Sequence, residues 1–261
     1  MNNVNKTLYI PLYGKALVSR KGIILRDPAA ERIWESEGFP LRGRSASKWL
    51  AFNMAMRARV FDDWTDRMLE RRPDALVLHV GCGLDSRCLR VKRPYREWID
   101  CDLPDVISAR REYFDETANY RMKILDASRP GQVLSLPDSG AAIAVLEGLS
   151  MYLPHDRLHA FFKALSDKFA DVRVLMDVYT EFGAKASKYK NPVNDVGVTR
   201  LYGIDDIGDI LGDLPIRVAG ELSFTPPSLV AELTGAERAV FRLLFTGRIY
   251  GKIYRLYELS T

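Results

Sequence analysis

With 261 residues, 47% of them hydrophobic and 28% charged, the chain can bury one large core, which suits a single α/β domain with an N-terminal appendage. The net charge of +4 comes from interspersed side chains rather than a basic block, so it reads as solubility and not as nucleic-acid binding. No apolar run reaches membrane-spanning length, residues 1–6 lack a signal-peptide core, and Cys82, Cys88 and Cys101 have neither disulfide-framework nor zinc-ligand spacing. The expectation is a cytoplasmic protein with no membrane partner and no metal, whose oligomeric state the sequence leaves open.

Residues 7–45 read as an irregular arm with short helices, and the aromatic and apolar content of residues 7–13 predicts a segment that packs onto something. Asp27 followed by Pro28 offers a capping acid and a first-turn proline, a helix start with a mechanism, and Gly38 ends that helix. A longer helix is predicted over residues 47–71, where Leu50, Met54, Phe61, Trp64 and Met68 recur at steps of three and four. Arg57 lies on this stripe, and a guanidinium on a buried face needs an anionic partner. Arg59, two residues on, points elsewhere, toward Asp62, Asp63 and Asp66. Each arginine has a plain reading as an intramolecular or surface pair and a sharper one as a clamp on a ligand carboxylate.

Residues 76–87 organise the rest. A β-favouring run stops at Gly81-Cys82-Gly83 and passes into a helical pattern: strand, tight turn, helix start. Glycine leaves room for a ligand against the backbone, and freed N–H groups with the helix dipole favour a negative ligand group. The next strand, over residues 96–102, ends at Asp102, about 20 residues past the turn, where doubly wound sheets place an acid for ribose hydroxyls. Ser86 stands where a dinucleotide fingerprint has its third glycine, which disfavours a nicotinamide-dependent oxidoreductase.

Residues 122–127 read as a short edge strand ending at Asp126 and Ala127. The continuously apolar residues 141–146 read as a central parallel strand. That strand opens at Glu147, on the sheet edge where ligands bind. A helix over 155–169, a strand over 172–179, a helical segment near 236–244 and two terminal strands at 216–218 and 253–259 complete the pattern, the last two as an antiparallel closing hairpin. His155 and His159 share a helix face without a third ligand, so capping and packing account for them better than metal. Tyr9, Tyr152 and Tyr179 read as packed aromatics or as walls of an acceptor pocket. His79 reads as a satisfied core residue. Residues 185–190 read as a mobile flap.

Three blocks, residues 80–87, 98–106 and 146–154, resemble in order and spacing the signatures of the leucine carboxyl methyltransferase family, which includes the tetracenomycin-type polyketide O-methyltransferases of bacteria. Arg57-Ala58-Arg59 and Asp27-Pro28-Ala29 resemble further family features, and the likeness spans most of residues 7–180. It implies a Rossmann-like, seven-stranded, mostly parallel sheet with an antiparallel C-terminal hairpin, with residues 1–46 as an arm or lid and 47–261 as the methyltransferase domain. It implies S-adenosylmethionine as cofactor and S-adenosylhomocysteine as product. By position, Gly81 and Gly83 line the methionine, Asp102 holds the ribose and Asp126 with Ala127 faces the adenine. Glu147 sits beside the amino group and sulfonium, and Arg57 or Arg59 takes the carboxylate. Cys82 and Ser86 depart from the usual residues, and Ser150 stands where the loop is bulkier, so an altered acceptor pocket is expected.

The expected activity is O-methylation of a small-molecule acceptor, a natural-product phenol or carboxylate. A phenol needs a general base and a carboxylate does not; Tyr152, His155 and Tyr179 are the candidates. The alternatives are protein C-terminal carboxyl methylation and non-catalytic cofactor binding.

Overall fold

A computed structural model describes residues 5–190 and 201–261; the signal-peptide expectation for residues 1–6 falls partly on residues 1–4, outside the described residues. Seven strands form one sheet: β1 (Leu76–Val80), β2 (Glu97–Asp102), β3 (Tyr120–Ile124), β4 (Ala141–Leu146), β5 (Asp171–Tyr179), β6 (Arg217–Leu222) and β7 (Tyr254–Ser260). Their order is β3-β2-β1-β4-β5-β7-β6, with β1 to β5 parallel. β7 runs antiparallel to both neighbours. The expected antiparallel close is present, and β7 is threaded between β5 and β6.

The helices are α1 (Tyr9–Lys21), α2 (Pro28–Glu37), α3 (Lys48–Arg71), α4 (Arg87–Arg90), α5 (Pro104–Arg110), α6 (His155–Lys168), α7 (Glu181–Lys190), α8 (Ile207–Leu211), α9 (Pro227–Ala231), α10 (Gly235–Phe245) and α11 (Gly247–Gly251). One face of the sheet is covered by α3, whose Phe52, Phe61 and Trp64 share a core with Leu12 of α1, packed on α3, and Ile33 of α2, packed on α1. The other is covered by α6 and α8 through Leu158, Phe161, Phe162 and Ile207. Burying both faces explains why the central strands are continuously apolar.

The arm is more regular than its sequence suggests. Pro11 sits in the first turn of α1, where a missing N–H costs no intrahelical bond. Gly14 lets α1 close on α3, since a Cβ there would lie 2.9 Å from the Ala51 carbonyl oxygen. Asp27 caps α2 by accepting from the Ala30 N–H at 2.9 Å, as its placement predicts. The segment expected as a flap is the second half of α7; the side chains of 187–190 lie outside the described residues.

Candidate functional site

The carboxyl ends of the parallel strands open into a cavity of about 390 Å³, within the roughly 300–1,000 Å³ of small-molecule sites. Its floor is Val80 to Asp85, Asp102 and Leu103, 125–128, 147–149 and 151–153; α1 and the preceding turn roof it with Leu8, Pro11, Leu12 and Lys15. Tyr179 and Tyr254 close the end over β5 and β7.

The turn after β1 needs its glycines: Gly81 and Gly83 have φ of 71° and 53°, conformations that cost an L side chain about 1–2 kcal/mol. The expectation of free N–H groups is corrected by the structure. Gly81 N and Cys82 N both donate to the Cys101 carbonyl (2.8 and 3.2 Å), Gly83 N donates to Asp102 Oδ2 (2.8 Å) and Asp85 N to the Cys82 carbonyl (3.0 Å). With four N–H groups consumed and α4 only four residues long, the turn is no phosphate cradle.

The cavity's charges sit on side chains instead. Lys15 and Arg57 line the cavity against four carboxylates, Asp85, Asp102, Asp126 and Glu147. Asp102 accepts from Gly83 N on one oxygen and from Leu103 N on the other, both at 2.8 Å, which fixes the carboxylate and leaves a lone-pair direction on each oxygen. Burial raises its pKa above the ordinary value, opposed by those two N–H groups. Asp126 folds back on Ser128, accepting from its N (2.9 Å) and Oγ (2.6 Å), with Ala127 buried beside it.

Beneath this floor runs a buried chain of alternating charges. Arg57 Nε donates to Glu147 Oε1 at 2.9 Å, and its Nη1 donates to Asp177 Oδ2 at 2.9 Å and to the Tyr254 hydroxyl at 2.8 Å. Tyr254 in turn donates to Asp177, whose other oxygen takes the Gly148 N–H at 2.6 Å. Arg87, with no solvent exposure, donates to Glu147 Oε2 through Nη2 and to Asp62 Oδ1 through Nε (2.7 Å). Arg90 ties Asp62 to Asp27 and Asp85, and Lys15 Nζ lies 3.0 Å from Asp85. Although burial alone would raise it, the two arginines hold the Glu147 carboxyl down at about 2.

Of the residues singled out from the sequence, Arg57, Gly81, Gly83, Asp102, Asp126, Ala127, Glu147, Tyr152 and Tyr179 all border the cavity. Arg59 does not: its Nε pairs with Asp63 (2.9 Å) and its Nη1 with the Ile24 carbonyl (2.8 Å) on the outer side of α3. The two-residue offset turns it about 160° away from Arg57 around the helix. His155 is also outside, exposed and bonded through Nε2 to the Gly203 carbonyl at 2.9 Å, while His159 Nδ1 meets the Ile210 carbonyl at 2.7 Å. Ser150 turns inward to the Asp177 backbone carbonyl, so it does not shape the pocket. His79 is buried and borders the cavity floor, its Nε2 3.2 Å from Arg87 Nη1 and its Nδ1 at ion-pair distance from Asp100 without hydrogen-bond geometry. Sequence reading missed Lys15, Arg87, Asp177 and Tyr254. Only Lys15 had a signal, since it shares a helical stripe with Leu8 and Leu12.

A cavity on the strand ends with no phosphate cradle, two cations and an excess of carboxylates suits a zwitterion that carries an additional positive charge. The fold, together with the chain's family and relatives, marks a methyltransferase dependent on S-adenosylmethionine. The solved structures agree on the fold: a methyltransferase from Thermobifida fusca, described as putative, has a TM-score of 0.55 at 15% identity, covering 84% of this chain and 88% of its own. The magnesium protoporphyrin IX methyltransferase of Synechocystis has 0.52 at 14%, covering 88% and 92%.

The family model "Leucine carboxyl methyltransferase" matches residues 5–124. The tetracenomycin polyketide synthesis O-methyltransferase of Streptomyces glaucescens is 30% identical over 244 residues, 92% of this chain and 90% of that protein. A methyltransferase of Gibberella zeae is 29% identical over 187 residues, 66% of this chain and 63% of that protein. The chain belongs to the leucine carboxyl methyltransferase family.

Proposed function

We propose that the protein transfers the methyl group of S-adenosylmethionine to an oxygen of a small-molecule carboxylic acid or phenol, the carboxylate being favoured. The cofactor brings an electrophilic methyl group on a sulfonium, so the protein's tasks are to bind, align and exclude water. Asp102 receives the ribose hydroxyls, the 125–127 segment borders the adenine, Lys15 and Arg57 take the methionine carboxylate, and Glu147 faces the ammonium. Tyr152, Tyr179 and Tyr254, with Leu50, Met54 and Met151, wall the acceptor end.

The observation that supports a carboxylate is that Tyr254, Tyr152 and His79 are each unsuited to act as a base. The Tyr254 proton is committed to Asp177, burial pushes Tyr152 up to about 12, and His79 is boxed in under the glycine turn by Arg87 and Asp100. A nucleophile that arrives ionised needs none of them. The aromatic lining and the roof of α1 support a small apolar acid over a protein tail, and the O-methyltransferase activity in the Streptomyces relative's name supports oxygen as the acceptor atom.

The test is turnover of methyl-labelled cofactor with a panel of aromatic and aliphatic carboxylic acids, matched phenols and a peptide with a free C-terminal carboxylate, products being identified by mass spectrometry. Methyl esters of small acids are expected. Methyl ethers alone would reverse the preference, an esterified peptide would move the acceptor to proteins, and cofactor binding without turnover on any acceptor would leave a non-catalytic binder.

A further inference from the structure

Glu147 is one member of an arrangement that the methyl-transfer reading leaves without a purpose. Its carboxylate is gripped from beneath by Arg87, which has no solvent exposure and does not border the cavity. Arg87 is itself held by Asp62 Oδ1 (2.7 Å) and by the ring of Phe61, 5.3 Å below its guanidinium carbon. That anchorage removes the freedom of a long side chain, so the guanidinium meets Glu147 as a fixed fork rather than a mobile charge. On the far side Arg57 Nε holds Glu147 Oε1 at 2.9 Å. Each oxygen thus has one fixed donor, and the carboxylate borders the cavity.

We propose that Arg87 is a positioning residue for cofactor binding: it keeps Glu147 ionised and aimed, so that Glu147 can receive the cofactor's ammonium group. This rests on the reading of Glu147 given above. Arg87 touches no ligand and acts only through Glu147. The groups facing Glu147 are Arg57 from α3, Arg87 from α4, Lys15 from α1, Asp85 from the glycine turn and Asp177 from β5, with His79 of β1 against Arg87 itself. Removing Arg87 deletes one of the two cations in contact with Glu147 and leaves the burial intact, so the carboxyl gains affinity for a proton. The cofactor's ammonium then loses its partner on mild acidification.

The experiment is calorimetric titration of the full chain with S-adenosylhomocysteine across mildly acidic to neutral pH. The wild type is expected to bind with a flat profile. Arg87→Gln and Arg87→Met are expected to bind more weakly at neutral pH and to lose up to about tenfold further affinity per pH unit on acidification, and Arg87→Lys to restore a flatter profile. The double variant Glu147→Gln, Arg87→Gln is the control for any other group near Arg87, and its profile is expected to be flat. A flat profile in folded Arg87→Gln or Arg87→Met, or an acid limb that persists in the double variant, overturns the proposal. If Arg87→Met does not fold, Arg87→Gln, which keeps hydrogen-bond donors in that space, decides. If Glu147→Gln alone binds as the wild type does, the ammonium assignment fails first and the role of Arg87 falls with it.

Discussion

Replacing Asp102 with alanine is expected to remove the group proposed to bind the ribose and to disturb the turn that carries it. Its carboxylate holds two backbone N–H groups at 2.8 Å, one at each oxygen, and offers the remaining lone pairs to the ligand. A hydrogen bond to a charged group contributes about 1.5–3 kcal/mol, so losing it weakens cofactor binding roughly 10- to 150-fold. The variant also strands Gly83 N and Leu103 N; both lie beside the cavity, where water can reach them, so the stability loss is expected at about 1 kcal/mol and the melting temperature to fall by about 2–4 °C. Asp102→Asn is expected to fare no better, because its NH₂ must face one of two N–H donors. Titration with S-adenosylhomocysteine beside a thermal melt reads both effects. Affinity within about threefold of wild type in folded variants of both kinds would refute the assignment.

Three further outcomes are expected. Arg57→Lys keeps a charge but cannot span Glu147, Asp177 and Tyr254 together, and should weaken cofactor binding about tenfold; Arg59→Ala, which loses Asp63 and the Ile24 carbonyl instead, should leave affinity within about threefold, and the reverse order would place the clamp on the wrong arginine. Gly81→Ala forces an alanine to φ 71° and brings its Cβ 3.1 Å from Leu149 Cδ1, so a stability loss of about 1–2 kcal/mol is expected in denaturant titration; no loss would mean the turn relaxes freely. Glu147, held at about 2 against 4.5 ordinarily, contributes roughly 3 kcal/mol that is fully present above its unfolded value and lost as pH falls from about 4.5 towards 2. Unfolding midpoints should drop across that window in the wild type and less steeply in Glu147→Gln, and parallel curves would contradict it.

What could be read from the sequence was local. The glycine turn announces itself because few residues tolerate its backbone, and the buried strands because both faces must be apolar. Helix periodicity alone separates Arg57 from Arg59, since two residues turn the side chain nearly across the helix. The partners of Arg57 were not legible: Glu147, Asp177 and Tyr254 lie 90, 120 and 197 residues away, and only the strand order brings them together. Arg87 was hidden in the same way, its role resting on Asp62 and Glu147 meeting beneath the sheet edge. α1 was obscured because proline and glycine usually break helices, while here one sits in the first turn and the other marks a helix contact. The turn's N–H groups were misjudged because three of the four find their acceptors, Cys101 and Asp102, on the neighbouring strand.

The insertion of β7 between β5 and β6 has a consequence for how the molecule is made. During synthesis the five parallel strands emerge in an order that lets each dock beside one already present, but β6 cannot join the sheet until residues 254–260 follow it. Until then β5 presents a bare edge of unpaired N–H and C=O groups, and the Arg57–Asp177 pair lacks the Tyr254 hydroxyl. A chain interrupted short of residue 254 therefore carries most of its core and an open template for aggregation at once. The same strand that finishes the sheet brings Tyr254 to the cavity wall, so a nascent chain completes that wall only when it has also lost its sticky edge.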